Sequence, residues 1–429
     1  MLIDSRIKRN TAYLLVFVLF LLLFTGCSKN RESSGREIVS VWYHTGRPAE
    51  QRVFEAQVKR FNAGQDKIRI ELTMIPEGDY NTQVQAAAVN DNLPDLLDMD
   101  GPYLYNYAWK GHLLPLDDLL PDNLKNDLIP TVIKQGTYEN KLYSVAVFDS
   151  GLGLYANRPM LEKIGVRIPD HPDNAWCARK FNEILALLAE NDPDGQVLDL
   201  RMDYSGEWYT YAFSPILQSA GGDLIDRRDY LGADGFLNSE ATVEVMQRIA
   251  GWFAKNYIDP NTDAQSFTNE RVAFSLCGHW EYPRYKGALG DKLIILPLPD
   301  FGHGSKTAMG SWSWAIPRSS EHPEAAMEFL KFLLQKEEIL RMCAANAAIP
   351  ATGSALTDSR LYREDGPLHL FAEQLDFAIP RPRTPAYPVI TSAFQQAFMD
   401  IRHGADVKMT LDRAVKVIDQ DIEDNRGYK

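Results

Sequence analysis

The residues in this chain best suited to chemistry are aromatic and acidic ones placed where predicted strands and turns end. They are Trp42-Tyr43-His44, Tyr103, Trp208-Tyr209 with Tyr211, His279-Trp280, and Trp312 with Trp314. Two groups follow a glycine, in Gly278-His279-Trp280 and Gly310-Ser311-Trp312-Ser313-Trp314, and Asp100 and Asp149 end predicted strands. In open α/β sheets, ligands sit at the carboxyl ends of strands. A sugar suits such a set, because its C–H face stacks on indole while its hydroxyls donate to carboxylates. Covering about 100 Å² of apolar ring area contributes roughly 2–3 kcal/mol, so two platforms and a few hydrogen bonds suffice for micromolar binding.

Each residue also has a packing reading. Trp42 lies inside a predicted core strand and reads as core, as do Tyr103 and Tyr107 at helical spacing. Trp208, in the polar stretch DYSGEWY, is balanced between core and ligand. Trp280 follows the strand-like VAFSLCG and reads as a ligand contact. Of Trp312 and Trp314, one is assigned to the core and Trp312 to the ligand. Asp149 reads as a strand-end group facing a cleft. The expected ligand-binding set is His44, Asp100, Asp149, Trp208, Tyr209, Trp280 and Trp312, with no catalytic residue, no metal and no cofactor.

Other chemistries find little support. There is no GxxxxGK[ST], no strand-GxGxxG-helix unit and no GxSxG elbow. The eight histidines are scattered and none forms HExxH. Glu190, Asp192 and Asp194 start like a calcium loop, but Arg201 stands where a bidentate Glu is needed, so this is a turn. Lys plus Arg is 45 against 58 Asp plus Glu, a net charge of −13, which excludes a general nucleic-acid role. Cys177, Cys277 and Cys343 form no CxxC pair; they read as buried free thiols, with one disulfide as the alternative.

The elements that must position these residues follow from periodicity. Residues 38–43 read as a strand, 49–62 as a helix with Val53, Phe54, Val58 and Phe61 on one stripe, and 67–75 as a strictly alternating strand. A helix over 80–90, a strand over 93–99 and a short aromatic helix over 103–109 follow. Strands at 142–148 and 293–298 and helices at 179–190, 239–256, 389–402 and 408–422 complete the body, with another helix starting at Pro323. Alternating strand and helix predicts a parallel α/β fold.

The amino terminus is of another kind. Arg6, Lys8 and Arg9 precede 12 consecutive apolar residues, Tyr13–Phe24, and then Thr25-Gly26-Cys27. That run is short for a membrane span and right for an export signal. Cys27 is the nucleophile that could accept a lipid, so the segment looks like a bacterial lipoprotein signal over 1–26. Residues 27–36 are polar and read as a flexible tether.

The order of motifs resembles the family 1 extracellular solute-binding lipoproteins of ABC importers, the maltodextrin-binding-protein-like group. The resemblance rests on IVSVWYH, FEAQVKRFNA, IRIELTMI, GDYNTQVQAAAVNDNLPDLLDMD, GHLLPLDDLL, SVAVFDSGLGLYANRPMLEKIGV, ILQSAGGDLID, VAFSLCGHWEY, GSWSWAIPRSSEHPEAAMEFLKFLL and NAAIPATGSAL. It implies a two-lobe periplasmic-binding-protein fold, each lobe a mixed sheet flanked by helices, with the ligand in the cleft between them. The lobes are expected at 37–147 plus 282–348 and at 148–281 plus 349–429. By position, Asp149 matches a cleft acid in the first crossing segment and Trp280 the family's stacking aromatic. Asp100 matches the polar residue after the third strand, and Trp208 with Tyr209 another cleft wall. The segment from Asn174 to Phe181 departs from the family's usual helix start.

The resemblance implies a non-enzymatic, monomeric capture protein for a mono- or oligosaccharide. It would be lipid-anchored on the outer face of the bacterial cell membrane and would deliver its cargo to an ABC permease. Two alternatives stand beside it. One is the same fold with a sugar phosphate or other small polar solute, for which Arg381 and Arg383 in IPRPRTPAYP are candidates unless that stretch is a solvated loop. The other is a secreted carbohydrate-active enzyme using a carboxylate pair.

Overall fold

The computed structural model describes residues 35–429. The signal segment 1–26, the lipid acceptor Cys27 and the tether as far as residue 34 lie outside the described residues. No helix among the described residues is long and apolar enough to cross a membrane.

The first sheet has five strands in the order Ile68–Pro76, Glu37–Thr45, Leu96–Asp100, Trp312–Ala315, Ser144–Val145. Its alternation is legible in Val39, Val41 and Tyr43, all buried, whereas every residue of the central strand Leu96–Asp100 is buried. Glu37–Thr45 and Leu96–Asp100 run parallel, and Trp312–Ala315 pairs antiparallel with the latter, setting Trp312 opposite Asp100 and Trp314 opposite Asp98. The helix Pro48–Gly64 lays Phe54, Val58 and Phe61 on this sheet beside Phe329 of the helix Pro323–Leu333. Tyr43, Phe54 and Trp314 form a cluster of stacked rings, with the Tyr43 centroid 4.0 Å from that of Phe54 and 5.7 Å from that of Trp314.

The second sheet has four strands in the order Leu293–Leu296, Leu152–Asn157, Phe274–Gly278, Leu198–Asp199. The helix Ala178–Glu190 buries Phe181 against Trp176, Phe274 and Trp252. Four helices, Trp208–Ser219, Glu240–Ala254, Tyr387–Arg402 and Val407–Asp424, build a further layer in which Phe398 meets Tyr209, Phe213 and Phe253.

Three chain segments run side by side between the sheets. Phe148–Asp149 pairs antiparallel with Ile349–Pro350, and Gly151 bridges Met309. The Leu152 amide donates to Thr307 Oγ1 at 2.9 Å, and the Thr307 hydroxyl donates back to the Leu152 carbonyl at 2.8 Å. Short paired crossings of this kind can bend without breaking either sheet.

The structure revises four expectations. Leu293–Leu296 pairs with Leu152–Asn157, so residues 293–296 belong with the second sheet, where the expected boundary at 282 put them with the first. Trp208, Tyr209 and Tyr211 sit on a helix whose 12 residues are all buried, not in a loop. Trp312 and Trp314 are two apart on a strand and share a face; depth along the strand separates them, Trp314 being core and Trp312 half-buried at the strand's start. Cys277 and Cys343 are buried thiols as expected, but Cys177 is exposed, and these three cysteines are all unpaired.

Close backbone approach, not turn geometry, requires Gly136: a Cβ there would lie 2.1 Å from the Ser144 carbonyl oxygen. Gly251, inside the helix Glu240–Ala254, has open space around it. Gly136→Ala is therefore expected to destabilise by about 2–3 kcal/mol and Gly251→Ala to stabilise by about 0.5–1 kcal/mol. Urea midpoints of the two variants check this; equal midpoints would show that the contact with Ser144 relaxes freely.

Candidate functional site

Where the two sheets face each other, a buried guanidinium joins acids from both sides. Asp100 ends the central strand of the first sheet, and Glu207 precedes the helix Trp208–Ser219 beside the second. Arg381 donates from Nη2 to Asp100 Oδ1 at 2.7 Å and from Nη1 to Asp100 Oδ2 at 3.2 Å. Its Nη1 also reaches Glu207 Oε1 at 2.7 Å. The other Glu207 oxygen accepts from Thr391 Oγ1 at 2.9 Å, and the guanidinium lies over the Tyr211 ring, 4.9 Å from its centroid. Burial raises the Glu207 pKa to about 8 against the pull of Arg381. Burial also opposes the Arg381 charge, but Asp100 and Glu207 outweigh it and push that pKa up.

Asp149 sits in the first crossing segment, only 2 % exposed. Its Oδ1 accepts from the amides of Ser150 at 2.8 Å and Gly310 at 2.9 Å. Burial raises its pKa. Gln135 fixes the neighbouring backbone: its side chain donates to the Ser311 carbonyl and accepts from the Ser311 amide. Gly101 and Gly310 allow this, since a Cβ on either would lie within 2.2 Å of the Gln135 side chain. Asp149 Oδ2 lies towards Thr131 and the Tyr211 hydroxyl towards Ser150, neither in the geometry of a well-formed hydrogen bond. Ser311 Oγ and Arg381 Nε likewise make no well-formed hydrogen bond.

An aromatic wall borders these groups. Trp280, half-buried in the turn His279–Glu281, has its ring centroid 6.0 Å from that of Tyr211 and 6.3 Å from that of Trp208. Its Nε1 donates to the Tyr204 hydroxyl at 3.2 Å. Gly278 is required here because a Cβ would meet the Trp280 ring at 2.0 Å. Behind the wall, Glu281 is buried and ion-paired with Arg47, Arg201 and Arg284. Despite burial, these three cations lower its pKa. Arg47 follows the first strand of the first sheet, so this pair is a second ionic contact between the two sides.

Two histidines near the crossing differ in charge, one a cation and the other neutral. Burial opposes protonation of His44, but Asp98 at 2.5 Å, with Glu50 and Glu77, raises its pKa to about 9. The resulting cation stacks on Trp312, with centroids 3.7 Å apart. Burial lowers the His279 pKa to about 4. The neutral ring must donate from Nδ1 to the Asn346 carbonyl at 2.9 Å, which leaves Nε2 to accept from Ser150 Oγ at 3.0 Å.

The structure thus brings Asp100, Asp149 and Trp280 to one site, with His44 and Trp312 at its first-sheet edge. Trp208 supports Trp280 from behind and donates its Nε1 to the Leu200 carbonyl. Tyr209 is not brought there. Successive helix residues point about 100° apart, and its ring packs on Phe213 and Phe398 in the core. Sequence reasoning missed Glu207, Gln135 and Ser311. Arg381 was expected in solvent or on a phosphate; it is instead 5 % exposed and ion-paired with two carboxylates. Among the described residues, no group of three or more His, Cys, Asp or Glu is placed to hold a metal ion.

Comparison with known proteins gives the family and the fold. A model of the family "Bacterial extracellular solute-binding protein" matches residues 56–366. The arabinooligosaccharide-binding protein of Bacillus subtilis (strain 168) is 21 % identical over 77 % of this chain and 77 % of its own length. The maltotriose-binding protein of Pyrococcus abyssi (strain GE5 / Orsay) is 21 % identical over 85 % of this chain and 77 % of its own. Among solved structures, the GacH receptor of Streptomyces glaucescens GLA.O, whose crystal structures include complexes with acarbose, superposes with a TM-score of 0.76. That match covers 91 % of this chain and 98 % of GacH at 21 % identity. The likeness establishes the fold as two α/β lobes about a cleft, the periplasmic-binding-protein architecture.

The His44–Asp98 pair makes a pH prediction. A folded-state pKa of about 9 against 6.5 unfolded gives stability that is complete below pH 6.5 and lost as pH rises through about 9. The shift corresponds to about 3 kcal/mol. Urea midpoints at both ends of that window are expected to fall for wild type and to lose this component in His44→Gln. Parallel profiles for the two proteins would refute a buried His44 cation.

Proposed function

Because the chain belongs to the bacterial extracellular solute-binding protein family, we propose that it is the substrate-capture component of an ABC importer and that its cargo is an oligosaccharide. The observation that carries this reading is the set of buried polar atoms around Arg381 that make no well-formed hydrogen bond: Asp149 Oδ2, Tyr211 OH, Ser311 Oγ and Arg381 Nε. A buried polar atom left unpaired costs free energy. A polyhydroxylated ligand supplies donors and acceptors to such a mixed set, and a half-buried indole beside it offers the flat apolar face that a pyranose ring covers. The sugar-binding relatives support the same class.

In this reading Asp100 and Trp312 contact the cargo from the first lobe, Trp280 and Tyr211 from the second, and Asp149 from the hinge. A ligand touching both lobes stabilises the closed state by its differential affinity for it. A lipid on Cys27 and a tether over 27–36 hold the protein, as a monomer, to the external face of the membrane, where a permease receives the cargo. That anchoring rests on the basic, apolar and small-residue pattern of the first 27 residues.

The geometry disfavours the alternatives. A phosphate would need a guanidinium whose charge is not already matched, and Arg381 faces two carboxylates. A glycosidase needs one carboxyl poised as acid and another as base or nucleophile, and Asp100 is held in a bidentate pair.

Isothermal calorimetry against neutral oligosaccharides of two to four units, maltotriose and arabinotriose among them, tests the proposal. Micromolar binding is expected for at least one. Trp280→Ala should weaken it by about 10–100-fold through lost stacking, and Asp149→Asn should weaken it less. Heat with none of the sugars, or wild-type affinity in Trp280→Ala, would contradict the assignment.

A further inference from the structure

Arg381 does more in this structure than line a cleft. It is carried on the segment 378–386, which touches both lobes. On the second-lobe side, Arg227 Nη1 donates to the Pro380 carbonyl at 2.8 Å. On the first-lobe side, Asn106 Nδ2 donates to the Pro385 carbonyl at 2.7 Å and Arg383 Nη1 to the Lys134 carbonyl at 3.4 Å. Between these anchors the guanidinium holds Glu207 of one lobe and both oxygens of Asp100 of the other.

We propose that Arg381 is an ionic clasp that holds the two lobes closed in the absence of any ligand. Exposed ion pairs contribute little, because water and salt screen them and two long side chains must be ordered. This pair differs in each respect. Arg381 is 5 % exposed, its contact with Asp100 is bidentate, and the Tyr211 face beneath it restricts the guanidinium. Opening separates Asp100 from Arg381 and rehydrates both, so the closed arrangement gains an interaction that the open one lacks. Removing one partner of a buried pair leaves the other uncompensated, which is strongly unfavourable. The Arg47–Glu281 pair and the Trp109–Tyr428 ring contact, with centroids 4.9 Å apart, lie on the same junction and would part in the same movement. The inference concerns the empty protein and holds whatever the cargo is.

Fluorescence transfer between the lobes tests it. The full chain with Cys27→Ser and Lys59→Cys is labelled at position 59, exposed on the helix Pro48–Gly64 of the first lobe, and at Cys177, exposed on the second. Cys277 and Cys343 are buried and stay unlabelled. Single-molecule distributions are recorded without ligand in about 0.05 M and about 1 M NaCl, where screening lengths differ several-fold. At low salt the labelled chain is expected in one high-transfer population. Arg381→Gln should shift the closed-to-open ratio by at least about tenfold towards open, and Asp100→Asn should shift it the same way. High salt should leave the parent chain closed, because a buried pair is screened far less than an exposed one, and should leave Arg381→Gln open. Arg413→Gln, which loses an exposed ion pair with Asp400 on the helices of the second lobe, should behave as the parent. A parent chain already open at low salt, or Arg381→Gln and Asp100→Asn both indistinguishable from it at either salt, overturns the clasp. Circular dichroism confirms folding of each variant; if one fails to fold, the other carries the test. No sugar is present, so the result is independent of carbohydrate capture.

Discussion

A polar group sealed from water must find a partner or cost free energy, and the seam between the lobes concentrates such groups. Arg381, Asp100, Glu207, Asp149 and His279 are all buried there or deep in its walls. The partners they do have fix the shape of the seam. Arg381 ties the two lobes, Asp149 caps the amides of Ser150 and Gly310, and neutral His279 bridges Ser150 to Asn346. The atoms without a well-formed hydrogen bond mark where a ligand's own polar atoms would complete the network. Under the proposed function, satisfied and unsatisfied groups together form the site for a ligand's hydroxyls.

That chemistry depends on where the chain crosses between the sheets. Phe148–Asp149, Gly151 and Ile349–Pro350 form a narrow bundle of backbone pairs, and among the described residues no wider interface of strands joins the two sheets. Asp149 lies inside this bundle, while Asp100 and Trp280 stand at strand ends on either side. The carboxyl ends of the strands therefore converge on the crossing, which is where ligands bind in open α/β sheets generally. Glycines at 101, 278 and 310 let Gln135 and the Trp280 indole approach backbone that any side chain would hold away.

Much of this was legible in the sequence, for reasons that differ by element. Strict alternation over Ile68, Ile70 and Leu72, and the stripe Phe54, Val58 and Phe61, carry their own period, so this strand and this helix could be drawn from the chain alone. The helix Trp208–Ser219 could not, because it is buried on every side and shows no amphipathic stripe. Trp280 was recognisable from the glycine before it and the strand before that. Arg381 was not, since its acidic partners lie 281 and 174 residues away and nothing local in IPRPRTPAYP distinguishes a buried cation from a solvated one. Tyr209 was misplaced for a geometric reason: once 208–219 is a helix, neighbours of Trp208 turn away from the cleft.

The central claim is that this seam exists to hold a carbohydrate, and native mass spectrometry of the protein purified from cells under non-denaturing conditions tests it most directly. The account predicts a bound species whose mass is that of a whole number of anhydro-sugar units plus water, released on unfolding. A co-purified amino acid, peptide or phosphorylated solute seated in the cleft would contradict it.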